Sequence, residues 1–110
     1  MAAPTTVRES LVLSERDNDG HFPVPPEGQI TVALEENGST GYFWDYSTSV
    51  EMEKVFDETA IRFPDRPGSP GVRVFSFRAP TAGEVDLKFI KHRQGQSPTE
   101  TETFHIRVVR

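Results

Sequence analysis

Apolar and polar residues alternate in five short segments of this chain. A repeat of two residues is typical of β-strands with one buried face, because successive side chains of a strand point to opposite sides. Ile30, Val32 and Leu34, for example, would share one face of such a strand. We therefore predict a strand in each of the five segments, which cover residues 7–13, 30–34, 75–77, 85–90 and 104–108.

Clusters of glycine, proline and short polar residues separate these segments and are typical of turns. Many short strands divided by turns at this spacing favour an antiparallel β-sandwich. We therefore predict an all-β fold in which helix is minor. The turn regions are residues 17–20, 25–28, 37–41, 65–71, 80–83 and 94–98.

One stretch of the chain fits neither a helix nor a strand throughout. Met52, Val55 and Phe56 recur at helical spacing, whereas Ile61 and Phe63 alternate as in a strand. We predict a strand at the end of this stretch and leave its start open between helix and strand.

The composition excludes several classes of protein. The 110 residues are enough for one domain with one hydrophobic core. The absence of cysteine excludes a disulfide framework, a thiolate zinc site and a cysteine nucleophile. Twelve basic and seventeen acidic residues give a net charge of −5 with no basic cluster, so we expect no nucleic-acid partner.

Targeting signals are also missing from the sequence. No apolar run approaches the ~20 residues that span a bilayer, so we expect no membrane association. The start, Met-Ala-Ala-Pro-Thr-Thr, lacks the basic and apolar regions of a secretion signal. If the chain is complete, these features predict a cytoplasmic protein.

Catalytic and metal-binding patterns are not recognisable either. The three histidines, His21, His92 and His105, are far apart in the sequence and lack metal-binding spacing. Ser39 and Thr40 have no identifiable base nearby that could activate them as nucleophiles. We therefore expect no enzymatic activity, no cofactor and no bound metal.

Charged residues within the predicted strands have simple interpretations. His105 is flanked by Phe104 and Ile106, so it would point away from the face that these two residues bury. Glu35 and Glu36 are expected to be solvated.

The most informative stretch is residues 37–44, where a glycine-rich polar segment runs into an aromatic strand. Gly41 allows backbone angles that other residues avoid. Tyr42, Trp44 and Tyr46 would share one strand face, and Trp44 fits the buried strand tryptophan of immunoglobulin-like folds. We therefore interpret Trp44 as a core anchor for a rigid, exposed loop.

Two further loops accompany this stretch. Residues 67–71 precede the strand of Phe75 and Phe77, and residues 91–98 follow the strand that contains Phe89. Alternate connections of a sandwich emerge at the same end, so the three loops could form one composite edge. Periodicity alone leaves a second interpretation open, in which each loop is an ordinary turn.

The order and spacing of these loops resemble the chagasin family of protein inhibitors of papain-like cysteine proteases. Members of that family have an Asn-Pro-Thr-Thr-Gly-aromatic loop, then a glycine-rich loop, then an Arg-Pro-Trp-like loop. The resemblance covers roughly residues 24–110. The matching residues are Asn37, Gly38, Ser39, Thr40, Gly41 and Tyr42 in the first loop, Gly68, Ser69, Pro70 and Gly71 in the second, and Lys91, His92 and Arg93 in the third.

The sequence departs from the family pattern in the first and third loops. Gly38 replaces proline and Ser39 replaces threonine, which a small polar wedge tolerates. Residues 91–93 lack both the proline and the tryptophan. Arg93 replaces the stacking area of that tryptophan only in part.

The resemblance implies a monomeric, immunoglobulin-like β-sandwich, with residues 1–110 as one domain and residues 1–23 as a divergent N-terminal strand and loop. It also implies that the domain binds papain-like cysteine proteases and fills their active-site cleft with the three loops. Thr40 and Gly41 would lie nearest the catalytic cysteine, and the other two loops would grip the flanks of the cleft. The altered third loop favours one alternative, a non-inhibitory protein-binding module on the same scaffold.

Overall fold

Eight strands and one short 3₁₀ helix form the part of the chain that the computed structural model describes, residues 10–36, 41–61, 71–93 and 95–109. The strands are β1 (Ser10–Leu13), β2 (His21–Val24), β3 (Gln29–Glu36), β4 (Tyr42–Thr48), β5 (Glu53–Ile61), β6 (Gly71–Arg78), β7 (Glu84–Arg93) and β8 (Glu100–Val108). The 3₁₀ helix, Glu15–Asp17, lies between β1 and β2. Within the described ranges, no helix is long and apolar enough to cross a membrane.

The strands form two four-stranded sheets that share one apolar core, with the order β1-β3-β6-β5 in the first sheet and β2-β8-β7-β4 in the second. The predicted all-β sandwich is therefore confirmed. The expectation of purely antiparallel sheets is wrong at two edges, because β1 runs parallel to β3 and β2 runs parallel to β8. Strands β1, β2 and β3 alternate between the two sheets, so no hairpin forces β1 to run opposite to β3.

The alternating apolar residues fill the space between the sheets, as predicted. Ile30, Val32 and Leu34 in β3 are fully buried, and the corresponding residues of β7 and β8 bury the facing side. The core contains Leu13, Val24, Ile30, Val32, Leu34, Trp44, Phe75, Phe77, Ala79, Val85, Leu87, Phe89, Phe104 and Ile106.

The stretch with mixed periodicity is the edge strand β5. The register of β5 against β6 shifts between Lys54 and Phe56, so Val55 is the extra residue of a β-bulge. One extra residue breaks the repeat of two and places Val55 and Phe56 in a spacing that mimics a helix. The strand prediction is confirmed for Ile61, while Phe63 lies outside the described residues, and the open start of the stretch is strand from Glu53 onwards.

Candidate functional site

The strand ends that flank the three predicted loops lie at one end of the sandwich. In the first sheet, Gly71 at the start of β6 is the register partner of both Glu36, which ends β3, and Ile61, which ends β5. In the second sheet, Tyr42 at the start of β4 pairs with Arg93, which ends β7. The chain therefore leaves and re-enters the sandwich at this end for residues 37–41, 62–70 and 94–99.

Six of the thirteen predicted site residues lie within the described ranges. These are Gly41, Tyr42, Gly71, Lys91, His92 and Arg93. The other predicted site residues, Asn37, Gly38, Ser39, Thr40, Gly68, Ser69 and Pro70, lie outside the described residues.

Gly41 and Tyr42 lie beside the Arg93 side chain. Gly41 has a φ of +81°, which favours glycine, and a Cβ at this position would lie 3.3 Å from Nε of Arg93. The guanidinium carbon of Arg93 lies 5.2 Å from the centre of the Tyr42 ring, within cation–π range. The end of the first predicted loop and the third motif therefore form one continuous surface.

Residues 91–93 are the last three residues of β7, so the prediction that they belong to a loop is wrong. Their partners in the ladder are Tyr42, Phe43 and Trp44, three aromatic residues that extend the pairing of β4 with β7. The connection begins only after Arg93, where the Gln96 N–H donates to the Arg93 carbonyl at 2.9 Å.

The side chains of Lys91 and His92 contact neighbouring strands. Nζ of Lys91 lies 3.8 Å from a Glu100 carboxylate oxygen and 5.5 Å from the centre of the Trp44 ring system. Nε2 of His92 lies 2.7 Å from Oδ2 of Asp45, and its ring centre is 4.4 Å from that of Phe43. Both side chains therefore lie against β4 or β8 rather than projecting from the end of the sandwich.

Trp44 is the predicted core anchor, and the structure confirms its burial. Its side chain is 1% exposed, and its indole N–H donates to the Glu35 carbonyl at 2.9 Å. Tyr46 lies on the same face and makes edge-to-face contacts with Phe75 and Phe77, but it is 36% exposed. Trp44 therefore anchors the strand that follows Gly41 in the core.

A partly buried ionic network joins the strand ends of the site. Glu36 is 6% exposed, so the expectation that it is solvated is wrong. Its Oε2 accepts the Trp44 backbone N–H at 2.9 Å and Nη1 of Arg73 at 3.1 Å, and its Oε1 accepts the Thr59 hydroxyl at 3.1 Å. The repeat of two could have revealed this, because Glu36 shares its face of β3 with Leu34.

Arg73 links Glu36 to a second carboxylate. Its Nε and Nη2 donate to the two oxygens of Asp57, at 2.6 and 3.2 Å. The Arg73 guanidinium holds the pKa of Asp57 below its usual value, and Asp57 in turn raises the pKa of Arg73. A hydrogen bond to Asp57 also raises the pKa of Lys54, whose Nζ lies 2.9 Å from Oδ2.

Gly71 contributes a close approach of two backbones. The residue is buried, and an added Cβ would lie 2.8 Å from the Ala60 carbonyl oxygen and 3.3 Å from that of Glu36. Because both neighbouring atoms belong to the backbone, a larger residue would force β3, β5 and β6 apart.

The structure brings together two histidines that are far apart in the sequence. The rings of His21 and His105 stack with centres 4.5 Å apart, and Nδ1 of His105 lies 2.8 Å from Oδ1 of Asp86. His105 faces away from the core, as predicted. No three His, Asp or Glu side chains within the described parts of the chain are arranged to hold a metal ion.

Comparison with known families gives one match. A model of the chagasin family of peptidase inhibitors, I42, matches residues 24–108. A comparison with curated protein sequences finds no match.

Several solved structures share the fold of this chain. The crystal structure of the cysteine protease inhibitor EhICP2 from Entamoeba histolytica is 19% identical, with a TM-score of 0.80 over 91% of this chain and 96% of that chain. The solution structure of amebosin is 20% identical, with a TM-score of 0.75 over 92% and 99% of the two chains. PbICP-C, in complex with falcipain-2, is 12% identical, with a TM-score of 0.60 over 99% and 96%. At these identities the likeness establishes the fold alone.

Proposed function

We propose that this chain, which belongs to the chagasin family of peptidase inhibitors, inhibits papain-like cysteine proteases by placing three chain segments in the active-site cleft. The observation that carries the proposal is the position of the strand ends. Those that flank residues 37–41, 62–70 and 94–99 all lie at one end of the sandwich. PbICP-C, a structural relative, was solved with falcipain-2, which supports the same class of target for this chain.

The first segment, residues 37–41, would act as the plug. Its residues are small and polar, so little side-chain bulk hinders the approach of its backbone to a narrow cleft. Thr40 and Gly41 would lie nearest the catalytic cysteine without presenting a scissile bond in line with it. The anchoring of Trp44 in the core supports this role, because a segment held close to one of its ends would lose less conformational entropy on binding.

The other two segments would contact the flanks of the cleft. Residues 68–71 would contribute the second contact, and the third would come chiefly from Arg93. Lys91 and His92 are directed towards Glu100 and Asp45, respectively, so we assign them a smaller share of the interface.

A non-inhibitory binding module is the second candidate function. The observation that favours it is the third motif, in which residues 91–93 lack the tryptophan and extend β7. On this alternative the same end of the sandwich would bind a protein that is not a papain-like protease.

Titration of papain and cathepsin-type enzymes with the purified domain tests the proposal. We expect wild type to inhibit, and Thr40→Trp to abolish inhibition because the cleft admits only a slim backbone. Thr81→Trp is the matched control, since Thr81 is exposed in the β6–β7 connection at the opposite end of the sandwich. Equal inhibition by Thr40→Trp and wild type would show that the first segment is not the plug. No inhibition by wild type across several such enzymes would favour the binding-module alternative.

A further inference from the structure

We propose that Glu36 is a positioning residue. Its carboxylate joins the end of β3 to the start of β4, which flank residues 37–40. It also joins these two strands to β5 and β6, which flank residues 62–70. The predicted effect on inhibition rests on the proposed function above. The predicted effect on the free protein does not depend on it.

The first half of this arrangement closes the chain around residues 37–40. Glu36 is the last residue of β3, and Trp44 is the third residue of β4, in the other sheet. The Trp44 backbone N–H donates to Oε2 of Glu36, and the Trp44 indole N–H donates to the carbonyl of Glu35. The two ends of the segment are therefore joined by two hydrogen bonds that cross between the sheets.

The second half joins the same carboxylate to the strands that flank residues 62–70. Thr59 lies two residues before the end of β5, and Arg73 lies two residues after the start of β6. Their donors reach the Glu36 carboxylate at 3.1 Å each. One carboxylate therefore accepts donors from three strands, and these strands border two of the three segments of the proposed site.

The direction of the Arg73 side chain is itself fixed. Asp57 holds its guanidinium group through two hydrogen bonds, and the guanidinium carbon lies 4.7 Å from the centre of the Phe75 ring. A planar guanidinium that is bound along one edge by a carboxylate and packed on an aromatic ring has little freedom to follow Glu36 if that residue moves. Any movement of Glu36 away from Arg73 therefore breaks the contact rather than stretching it.

Stability alone does not account for a carboxylate buried at this point. Apolar residues of similar volume usually stabilise a core at least as well as a buried ion pair does, because ions lose solvation on burial. A carboxylate that accepts hydrogen bonds from three donors in fixed directions instead favours one arrangement of the strands that carry those donors. In the proposed inhibitor such a selection would lower the entropy lost on binding, which favours tight complexes.

The backbone amide of Trp44 offers a direct measurement. Its N–H donates to the Glu36 carboxylate, so its hydrogen-exchange rate in the free protein reports whether that bond is kept. We expect Glu36→Gln and Arg73→Gln to raise this exchange rate, and to weaken inhibition of papain by on the order of tenfold. Circular dichroism should show that the sandwich is retained.

Arg78→Gln is the matched control for Arg73→Gln. Arg78 lies at the other end of the same strand and pairs with Glu53 across the same β5–β6 ladder, with both side chains exposed. We expect this substitution to leave the Trp44 exchange rate and the inhibition constant unchanged. If Arg73→Gln does not fold, Thr59→Val is the second variant, because it removes a single donor from Glu36. It should raise the Trp44 exchange rate and weaken inhibition, both by less than Arg73→Gln would.

An unchanged Trp44 exchange rate in the folded Glu36 and Arg73 variants would overturn the proposal. Faster exchange with unchanged inhibition would also overturn it, because the contact would then be structural only. If wild type inhibits no papain-like enzyme, the proposed function fails, while the exchange rates in the free protein still decide whether Glu36 holds the strand ends.

Discussion

Tyr42 and Arg93 face each other across the β4–β7 ladder, and the Arg93 guanidinium carbon lies 5.2 Å from the centre of the Tyr42 ring. This contact joins the end of the first motif to the end of the third. Because a Cβ added at Gly41 would lie 3.3 Å from Nε of Arg93, a substitution at any one of these three residues should displace the other two.

Gly41→Ala should weaken inhibition, whereas Gly83→Ala should not. Both glycines have positive φ, +81° and +96°, so alanine should strain the backbone by roughly 1 kcal/mol or more at either position. Only at Gly41 does the added Cβ meet the Arg93 side chain, since nothing lies within 4 Å of the corresponding point at Gly83. If both variants lost inhibition equally at the same temperature, the loss would come from lower overall stability and not from the contact between residue 41 and Arg93.

Arg93→Trp should tighten binding to papain-like enzymes. A large aromatic contact is worth ~2 kcal/mol, on the order of thirtyfold in affinity. Against an acidic cleft rim, the charge of Arg93 should supply part of this binding free energy, mostly by raising the association rate. Because salt screens this attraction, inhibition by wild type should weaken with salt more than inhibition by the variant. Inhibition constants at low and moderate salt check this expectation.

Arg107→Trp is the control for the Arg93 experiment. Arg107 is exposed and pairs with Glu84 at the opposite end of the second sheet. Tighter inhibition by this variant would mean that a new aromatic surface acts non-specifically, and would contradict the assignment of Arg93 to the interface.

The sequence predicts the core well because burial on one strand face is a local pattern. Val85, Leu87 and Phe89 are buried where the repeat of two places them, and Trp44 is buried next to the segment that it anchors. The convergence of the strand ends could also be anticipated, since it follows from the order of strands in a sandwich.

Contacts between distant residues account for the features that sequence reasoning missed. Glu36 is buried because Arg73, 37 residues further along the chain, neutralises it. Lys91 and His92 continue a strand because Trp44 and Phe43 extend the opposite one. A charged residue type suggests solvent exposure until its partner is known, and a strand boundary depends on the length of its neighbour.

Trp44→Ala should lower the free energy of unfolding by ~3–5 kcal/mol, because it removes a fully buried ring from the core. Trp44→Phe keeps an aromatic ring and loses the donor to the Glu35 carbonyl, so its cost should be smaller. Denaturant midpoints of the three proteins measure the difference. An unchanged midpoint for the alanine variant would mean that the ring is exposed in solution and available as a binding platform.

Glu102 should make the stability of the protein fall as the pH rises. Its side chain lies on the core face of β8, two residues before the buried Phe104 and near the start of the strand, and its Oε1 has no hydrogen-bond partner in the described structure. Burial, reinforced by the carboxylates of Glu100, Glu15 and Asp19, raises the pKa of Glu102 from 4.5 to about 7.

The sign of the effect follows from this pKa. The folded state binds the Glu102 proton more tightly than the unfolded state does, so the stabilisation is complete below pH 4.5 and is lost as the pH rises through about 7.

Glu102→Gln keeps a neutral side chain at every pH. We therefore expect it to exceed wild type in stability by only about 1 kcal/mol at pH 5 and by on the order of 3 kcal/mol at pH 8. Urea unfolding at the two pH values measures the difference, with Glu84→Gln as a control for an exposed carboxylate of the same sheet. A constant difference between wild type and Glu102→Gln across this range would show that Glu102 is already ionised in the folded protein at pH 5.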